Sequence, residues 1–302
     1  MKLISIIVPV YNEKGILERL FNRLESLISN HSQYSWEVIC VNDGSHDGSE
    51  QTLTAYTQKL SWLKVIHLSR NFGHQNAITA GLELAQGQAI VIIDGDLQDP
   101  PELIIDMAKK WEEGFDVVYA TRNNRKGETF LKLFTANYFY KLLNKISDTF
   151  IPSNTGDFRL MSRPALDALL KLKEHNRFVR GMVSWVGFKQ TPIYFDRQER
   201  SSGETKYSFK KMFRFAMDGI LSFSKVPFKF IWFMGTITLS IGIILGVLTI
   251  WVIPLLWLAV SFILGGIQLF CLGIIGEYLS RIYDEVRNRP TYIIKKIDSK
   301  QD

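Results

Sequence analysis

Residues Ala89–Glu102 read A-I-V-I-I-D-G-D-L-Q-D-P-P-E. An apolar run rich in β-branched side chains and stopped by Asp-Gly-Asp reads as a buried strand ending in two carboxylates. The glycine between Asp94 and Asp96 lets other backbone approach closely. Carboxylates in that position, with Gln98 beside them, suit Mg2+ or Mn2+, which take oxygen ligands and share them with a diphosphate. By itself the tripeptide is more often a plain turn closing a strand. Its surroundings change that reading.

Upstream, Pro9-Val10-Tyr11-Asn12-Glu13 and Val41-Asn42-Asp43-Gly44-Ser45 close two further apolar runs. Strands are expected at Ile4–Val8, Glu37–Val41, Lys64–Leu68, Ala89–Ile93 and Val117–Ala120, with amphipathic helices between them. One helix, Ile16–Leu27, puts Leu17, Leu20, Leu24 and Leu27 on one face; another, Glu102–Trp111, takes Asp99 as N-cap and Pro100-Pro101 into its first turn. This alternation predicts βαβ units and a mostly parallel sheet. Ligands of such sheets bind beyond the carboxyl ends of the strands, so the three motifs converge on one crevice. There Asp43 can accept hydrogen bonds from a uracil edge or ribose hydroxyl, and Tyr11 can offer a ring face to a base. Each also reads as a strand-ending turn, Asn42-Asp43-Gly44 above all.

Beyond Glu128 come an aromatic-rich helical stretch, Phe130–Ile146, a polar loop around Asn154-Thr155-Gly156-Asp157, and a strand-like run at Ile193–Phe195. Gln198–Tyr207 is rich in Ser, Gly and charge, a composition that suits a lid beside a pocket and an ordinary linker alike. His31, His67 and His74 show no ligand spacing with Cys or acidic residues and read as surface or satisfied core histidines. Asn71–Gln75 suits a loop near the donor, but entry into a helix accounts for it equally well.

No charged residue occurs from Phe230 to Gly276. A membrane crossing needs about 20 apolar residues for roughly 30 Å of hydrocarbon, so this run fits two, and Pro254 divides it. Helices at Phe230–Trp251 and Leu255–Leu279 form the expected hairpin, with only Val252-Ile253-Pro254 between them and Trp232, Trp251 and Trp257 near the span ends. Lys225 and Lys229 before the first span, and Arg281, Arg287, Arg289, Lys295 and Lys296 after the second, place the flanks in the cytoplasm. Phe209–Phe223 alternates basic and apolar residues and is expected to lie in the membrane interface, as is Arg281–Arg289. The net charge of +6 belongs largely to residues beside the spans, which fits anionic lipid heads better than nucleic acid. The two cysteines, Cys40 on a strand and Cys271 in a span, cannot meet, so no disulfide is expected.

In this order and spacing, P-V-Y-N-E, N-D-G-S, D-G-D-L-Q-D-P-P-E, N-T-G-D-F-R and R-S-S-G-E-T-K-Y resemble the polyprenyl-phosphate glycosyltransferases. The run G-I-I-G-E-Y-L-S-R-I-Y-D-E resembles their bacterial two-span glucosyltransferase branch. The resemblance implies a GT-A-like catalytic domain over residues 1–206, an interfacial helix over 207–228, two spans within 229–280 and a cytoplasmic basic tail over 281–302. It implies inverting transfer of one hexose, with glucose from UDP-glucose favoured, to a polyprenyl phosphate at the cytoplasmic face of the bacterial inner membrane. Asp94, Asp96 and Gln98 would serve the metal and donor diphosphate, and Asp157 would be the catalytic carboxylate alongside Asp96. Pro9, Tyr11, Glu13, Asp43, Arg200 and Lys206 would bind the nucleotide-sugar, and Arg122, Lys210, Lys211 and Arg214 would face the acceptor phosphate. A homo-oligomer, tetrameric by resemblance, is also implied. Alternatives are a mannose synthase using GDP-mannose and a non-catalytic, membrane-tethered nucleotide-sugar sensor.

A lipid phosphate has a second pKa of about 6 and needs little help in losing a proton. Asp157 is therefore expected to position more than it deprotonates.

Overall fold

The computed structural model describes residues 1–122, 152, 155–175, 177–196, 231, 233–238, 240–241 and 254–300. Its strands are β1 (Lys2–Val10), β2 (Tyr34–Asn42), β3 (Leu63–Leu68), β4 (Ala89–Ile92), β5 (Val117–Arg122), β6 (Thr155–Ser162), β7 (Gln190–Phe195) and β8 (Ile294–Ser299). Its helices are α1 (Lys14–Asn30), α2 (Ser49–Thr57), α3 (His74–Leu84), α4 (Leu103–Glu112), α5 (Arg163–Leu170), α6 (Val179–Trp185) and α7 (Pro254–Arg287). The strands form one sheet in the order β7-β5-β6-β4-β1-β2-β3-β8. Only β6 and β8 run against the others, so the sheet is mostly parallel.

Alternation along β1 sends Ile4, Ile6, Val8 and Val10 into a layer with Leu17, Leu20, Phe21 and Leu24 of α1 and Met107 of α4. Ile7 joins the opposite layer with Ala77 and Ile78 of α3 and Leu166 of α5. Helices on both faces are what a parallel sheet, apolar on both sides, requires. Pro9 is tolerated in this central strand because β4 pairs with β1 only over Ile4–Ile7. The chain proceeds from β1 outward to β2 and β3, then returns to place β4 on the other side of β1. Adjacent strands there lead their connections in opposite directions, and a crevice opens past their carboxyl ends.

The structure departs from the sequence reading at four places. Thr155–Ser162 is a fully buried strand, although its start was expected as a polar loop. The buried Arg159 makes this possible, since its guanidinium donates to the backbone oxygens of Asp157 and Gly156. Asp99 does not cap α4, whose N-terminus has no side-chain cap; it pairs instead with Arg122, Nη2 to Oδ1 3.6 Å. The last helix does not stop at Leu279 but continues without a break to Arg287. Finally, the basic tail contains β8, which adds to β3 in antiparallel register.

A polar chain holds β8 down. Asn42 Nδ2 lies 3.0 Å from His67 Nδ1, His67 Nε2 lies 3.1 Å from Asp298 Oδ2, and Thr54 Oγ1 donates to the same oxygen. Burial holds the His67 pKa below its usual value, so His67 is a satisfied core histidine as expected.

α7 reaches the domain through a second clasp. His175 N donates to Glu285 Oε1 at 2.7 Å, its Nδ1 lies 3.0 Å from Glu285 Oε2, and its Nε2 lies 2.7 Å from Arg289 O. Hydrogen bonding to Glu285 raises the His175 pKa, with burial opposing and Arg289 O, Glu285 and Asp284 adding to the rise. A raised folded pKa means the clasp contributes fully below the unfolded value of about 6.5 and is lost as pH climbs through the folded one. Hydrogen-exchange protection at the end of α7 and in residues 172–175 should therefore fall as pH rises above about 6.5. A His175→Gln variant should lack that dependence.

The expected helical stretch Phe130–Ile146, the Gln198–Tyr207 loop and the Phe209–Phe223 helix all lie outside the described residues. Within the expected first span, Ile231, residues 233–238 and residues 240–241 are helical.

Candidate active site

β1, β2, β3 and β4 end at the same edge of the sheet at which antiparallel β6 begins. Reversal of β6 thus delivers Gly156 and Asp157 to the crevice from the opposite chain direction.

The turn after β4 is wound tightly. Leu97 sits at φ 57, where a leucine is rare, and Gln98 N donates to Asp96 Oδ1 at 3.1 Å. Such a residue costs roughly 1–3 kcal/mol, and strain of this kind clusters at functional sites. Gly95 lies over the end of β1, where a Cβ would stand 3.4 Å from Pro9 O and from Val8 Cγ1. Pro9 therefore lies directly against this turn.

The loops after β1 and β2 are stitched together. Asn12 N donates to Ser45 Oγ, His46 N to Asn12 Oδ1, Glu13 N to Ser49 Oγ and Lys14 N to Asp47 Oδ2. Tyr11 stays 40% exposed beside them, so its ring is open to a ligand. Asp43 is held by the protein's own loop: Phe72 N donates to its Oδ1 at 2.7 Å and Gly73 N to its Oδ2 at 2.9 Å. One lone pair on each oxygen is thereby committed to the protein's own loop. Gly44 makes that loop possible, because its φ is 65 and a Cβ would stand 2.5 Å from Arg70 C and 2.6 Å from Asn71 N. Backbone cannot yield there as a side chain would. Gly44→Ala should lower stability by about 1–3 kcal/mol, read as a drop in the midpoint of chemical unfolding.

Asp94 Oδ1 is buried and has no hydrogen-bond partner among the described residues; His74 Nε2 is 3.5 Å away. Burial raises the Asp94 pKa, opposed by His74 and reinforced by Asp157 and Asp96. Asp157, by contrast, is fully engaged. Arg180 Nε donates to its Oδ1 at 2.8 Å and Nη2 to its Oδ2 at 3.0 Å, while His74 Nε2 and Gln75 Nε2 approach Oδ2 at 3.2 and 3.4 Å. Burial alone would raise its pKa, but Arg180 and then His74 overcome that and hold the carboxyl well below the usual range. His74 is protonated by the same contacts: against the cost of burial, Asp157 and Asp94 push its pKa up to about 9. Arg122 completes the wall, its Nη2 3.4 Å from where a side chain at Gly156 would stand.

The family model described as glycosyl transferase family 2 matches residues 5–170, the stretch from β1 through α5 that contains every strand end above. The chain belongs to glycosyl transferase family 2. Among its relatives is an uncharacterized glycosyltransferase of Bacillus subtilis, 48% identical, with 97% of this chain and 93% of that one covered. The bactoprenol glucosyl transferase of Shigella phage SfII is 39% identical, with 97% of each chain covered. A prophage bactoprenol glucosyl transferase homolog of Escherichia coli is 38% identical over 97% of this chain and 99% of that one. The resemblance to polyprenyl-phosphate glycosyltransferases thus holds over the full length. In fold, the chain is similar to glucosyl-3-phosphoglycerate synthase from Mycobacterium tuberculosis, with TM-score 0.50, 18% identity, and 73% and 76% of the two chains covered.

Within this family-2 site the structure gathers Pro9, Tyr11, Glu13, Asp43, Asp94, Asp96, Gln98, Arg122 and Asp157 at one sheet edge. Arg200, Lys206, Lys210, Lys211 and Arg214 lie outside the described residues. Sequence reasoning takes His74 for a surface or satisfied core histidine and Gln75 for part of a helix lead-in, whereas both meet Asp157, and it passes over Arg180. The first two follow β3 directly, and the strand-end rule that singled out Asp43 and Asp94 applies equally to them. Arg180 carries no such signal; it lies 23 positions after Asp157 and arrives on a short helix.

Proposed function

We propose that this glycosyltransferase moves a single glucosyl unit from UDP-glucose to a polyprenyl phosphate, with inversion, at the cytoplasmic face of a bacterial membrane. The observation that carries this reading is the end-to-end similarity to bactoprenol glucosyl transferases, which spans the strand-end carboxylates and the apolar C-terminal region together. A soluble relative of similar fold would give no reason for that region.

The residues present fit a divalent cation. No group of three His, Cys, Asp or Glu side chains converges among the described residues, but a Mg2+-like ion commonly takes one or two carboxylates and draws its other ligands from phosphates and water. Asp94, with a buried oxygen that has no hydrogen-bond partner among the described residues, and Asp96 would supply those carboxylates, with Gln98 beside them. The ion would neutralise charge gathering on the departing nucleoside diphosphate. The chain itself orients and encloses. Tyr11 offers its face to the base, and the Asp43-held loop shapes the crevice floor. Asp157, kept ionised by Arg180, orients the sugar or acceptor and takes no proton, because the acceptor phosphate is largely a dianion near neutral pH.

α7 is the proposed second span. Within Ile263–Arg287 an 18-residue window has a mean hydropathy of 1.5 with none of it buried, and Leu269 is 71% exposed. An apolar helix left bare on all sides suits lipid. With residues 230–251 as the other crossing, both flanks and the catalytic domain share the cytoplasmic side, holding the site within reach of an acceptor that cannot leave the bilayer.

The test is direct. Purified protein in phospholipid vesicles with polyprenyl phosphate and radiolabelled UDP-glucose should form labelled lipid, and EDTA should abolish it. No labelled lipid from UDP-glucose would overturn the donor assignment, and none from any nucleotide-sugar would overturn the enzyme.

A further inference from the structure

Asp157 is one of the least exposed charges in the crevice, its side chain 4% exposed, and it lies in the field of Asp94. A diphosphate or lipid phosphate entering that space brings negative charge toward negative charge. Arg180 is built to answer this. Its two nitrogens take both carboxylate oxygens in a fork that fixes the plane of the group as well as cancelling its charge.

Placement of Arg180 is itself over-determined. It is the second residue of α6, and the backbone N–H of Val179 before it donates to Gln75 Oε1 at 3.1 Å. Gln75 thus satisfies an open donor at the start of α6 and at the same time points its amide nitrogen to Asp157. Five positions before Arg180, His175 is clasped to the end of α7. Arg180 also lies beyond residues 5–170, the stretch that the family model covers.

We propose that Arg180 is a positioning residue for this reaction: it neutralises Asp157 and locks its carboxylate plane, so that anionic substrates enter without repulsion while Asp157 stays aimed. Arg180 acts through Asp157 and grips no phosphate itself. The proposal rests on the reading that the crevice takes a nucleoside diphosphate.

The test compares wild-type protein with Arg180→Ala, Arg180→Lys, Asp157→Asn and the double variant Asp157→Asn/Arg180→Ala, all full-length in detergent. Binding of UDP with Mn2+ is read by titration calorimetry. Arg180→Ala should weaken UDP binding by about tenfold or more, since it leaves the buried carboxylate with His74 as its remaining cationic partner among the described residues and its Oδ1 without the Arg180 Nε donor, and the double variant should return to within about threefold of wild type. Arg180→Lys should keep UDP affinity near wild type and lower kcat by about tenfold, because charge survives and the fork does not. A double variant that binds UDP as poorly as Arg180→Ala would overturn the proposal, for Arg180 would then hold the phosphates directly. If wild-type protein bound no UDP, the donor assignment would fail by itself, and thermal unfolding would decide the pair. A double variant melting above Arg180→Ala supports charge compensation; one melting at or below it overturns the proposal.

Discussion

Asp94→Asn should fold and lose transfer by about a thousandfold or more, a loss of the size seen when a preorganised group facing transition-state charge is removed. Asn is nearly the same shape, so the tight 94–99 turn has no steric reason to open. What disappears is one full negative charge beside Asp96, on the oxygen pair whose Oδ1 is buried with no hydrogen-bond partner among the described residues. Two signs would distinguish loss of a cation from general damage. The midpoint of thermal unfolding without metal should rise or stay level, because burial and the neighbouring carboxylates already disfavour the Asp94 charge. Mn2+ should then cease to raise that midpoint, whereas it should raise that of the wild-type protein. An Asp94→Asn enzyme that kept normal turnover and normal Mn2+ stabilisation would remove the proposed metal site.

Asp157→Asn should cost about 10²–10³ in kcat, and the loss should persist as pH rises. A general base replaced by Asn is partly rescued when solvent hydroxide increases; an orienting charge is not. The wild-type pH profile carries the same point. Since Arg180 and His74 outweigh burial and hold Asp157 well below 3.8, its protonation belongs to pH values under that figure. The sign follows: the group is ionised and functional above its lowered pKa and fails only as pH falls through it. An acid limb near pH ~6 would report the acceptor phosphate. Replacing the acceptor by an analogue with a different second pKa should move that limb, and a limb that stayed fixed would reinstate Asp157 or another protein group as the base.

Much of this architecture is legible in the chain. Strands β1 to β5 follow from apolar, β-branched runs closed by turn residues, and the strand-end rule then brings Pro9, Asp43 and Asp94 together without further information. The reading fails where a strand carries its polar residues inward. The start of T-G-D-F-R-L-M-S looks like a loop until Arg159 is seen satisfying the backbone beside Asp157. I-K-K-I-D-S looks like a tail because the contacts of Asp298 with Thr54 and His67 span more than two hundred positions. Arg180 is hidden for the same reason: a long-range ion pair leaves no periodic trace, and only the folded sheet edge discloses it. Asp43 is the subtler case: its position at a strand end is legible, but an Asn-Asp-Gly turn says nothing about the Phe72 and Gly73 backbone that it meets.

The strand that follows α7 has one more implication. At 34 residues and about 1.5 Å each, that helix is about 51 Å long, well beyond the hydrocarbon thickness, so its final turns stand clear of the lipid on the proposed topology. They do not end in a slack leash. Glu285 is fastened to His175, and a few residues later the chain is woven into the sheet beside β3. On that topology, helix lean and catalytic-domain attitude become a single mechanical variable, and a thinner or thicker bilayer would swing the crevice mouth toward or away from the headgroups.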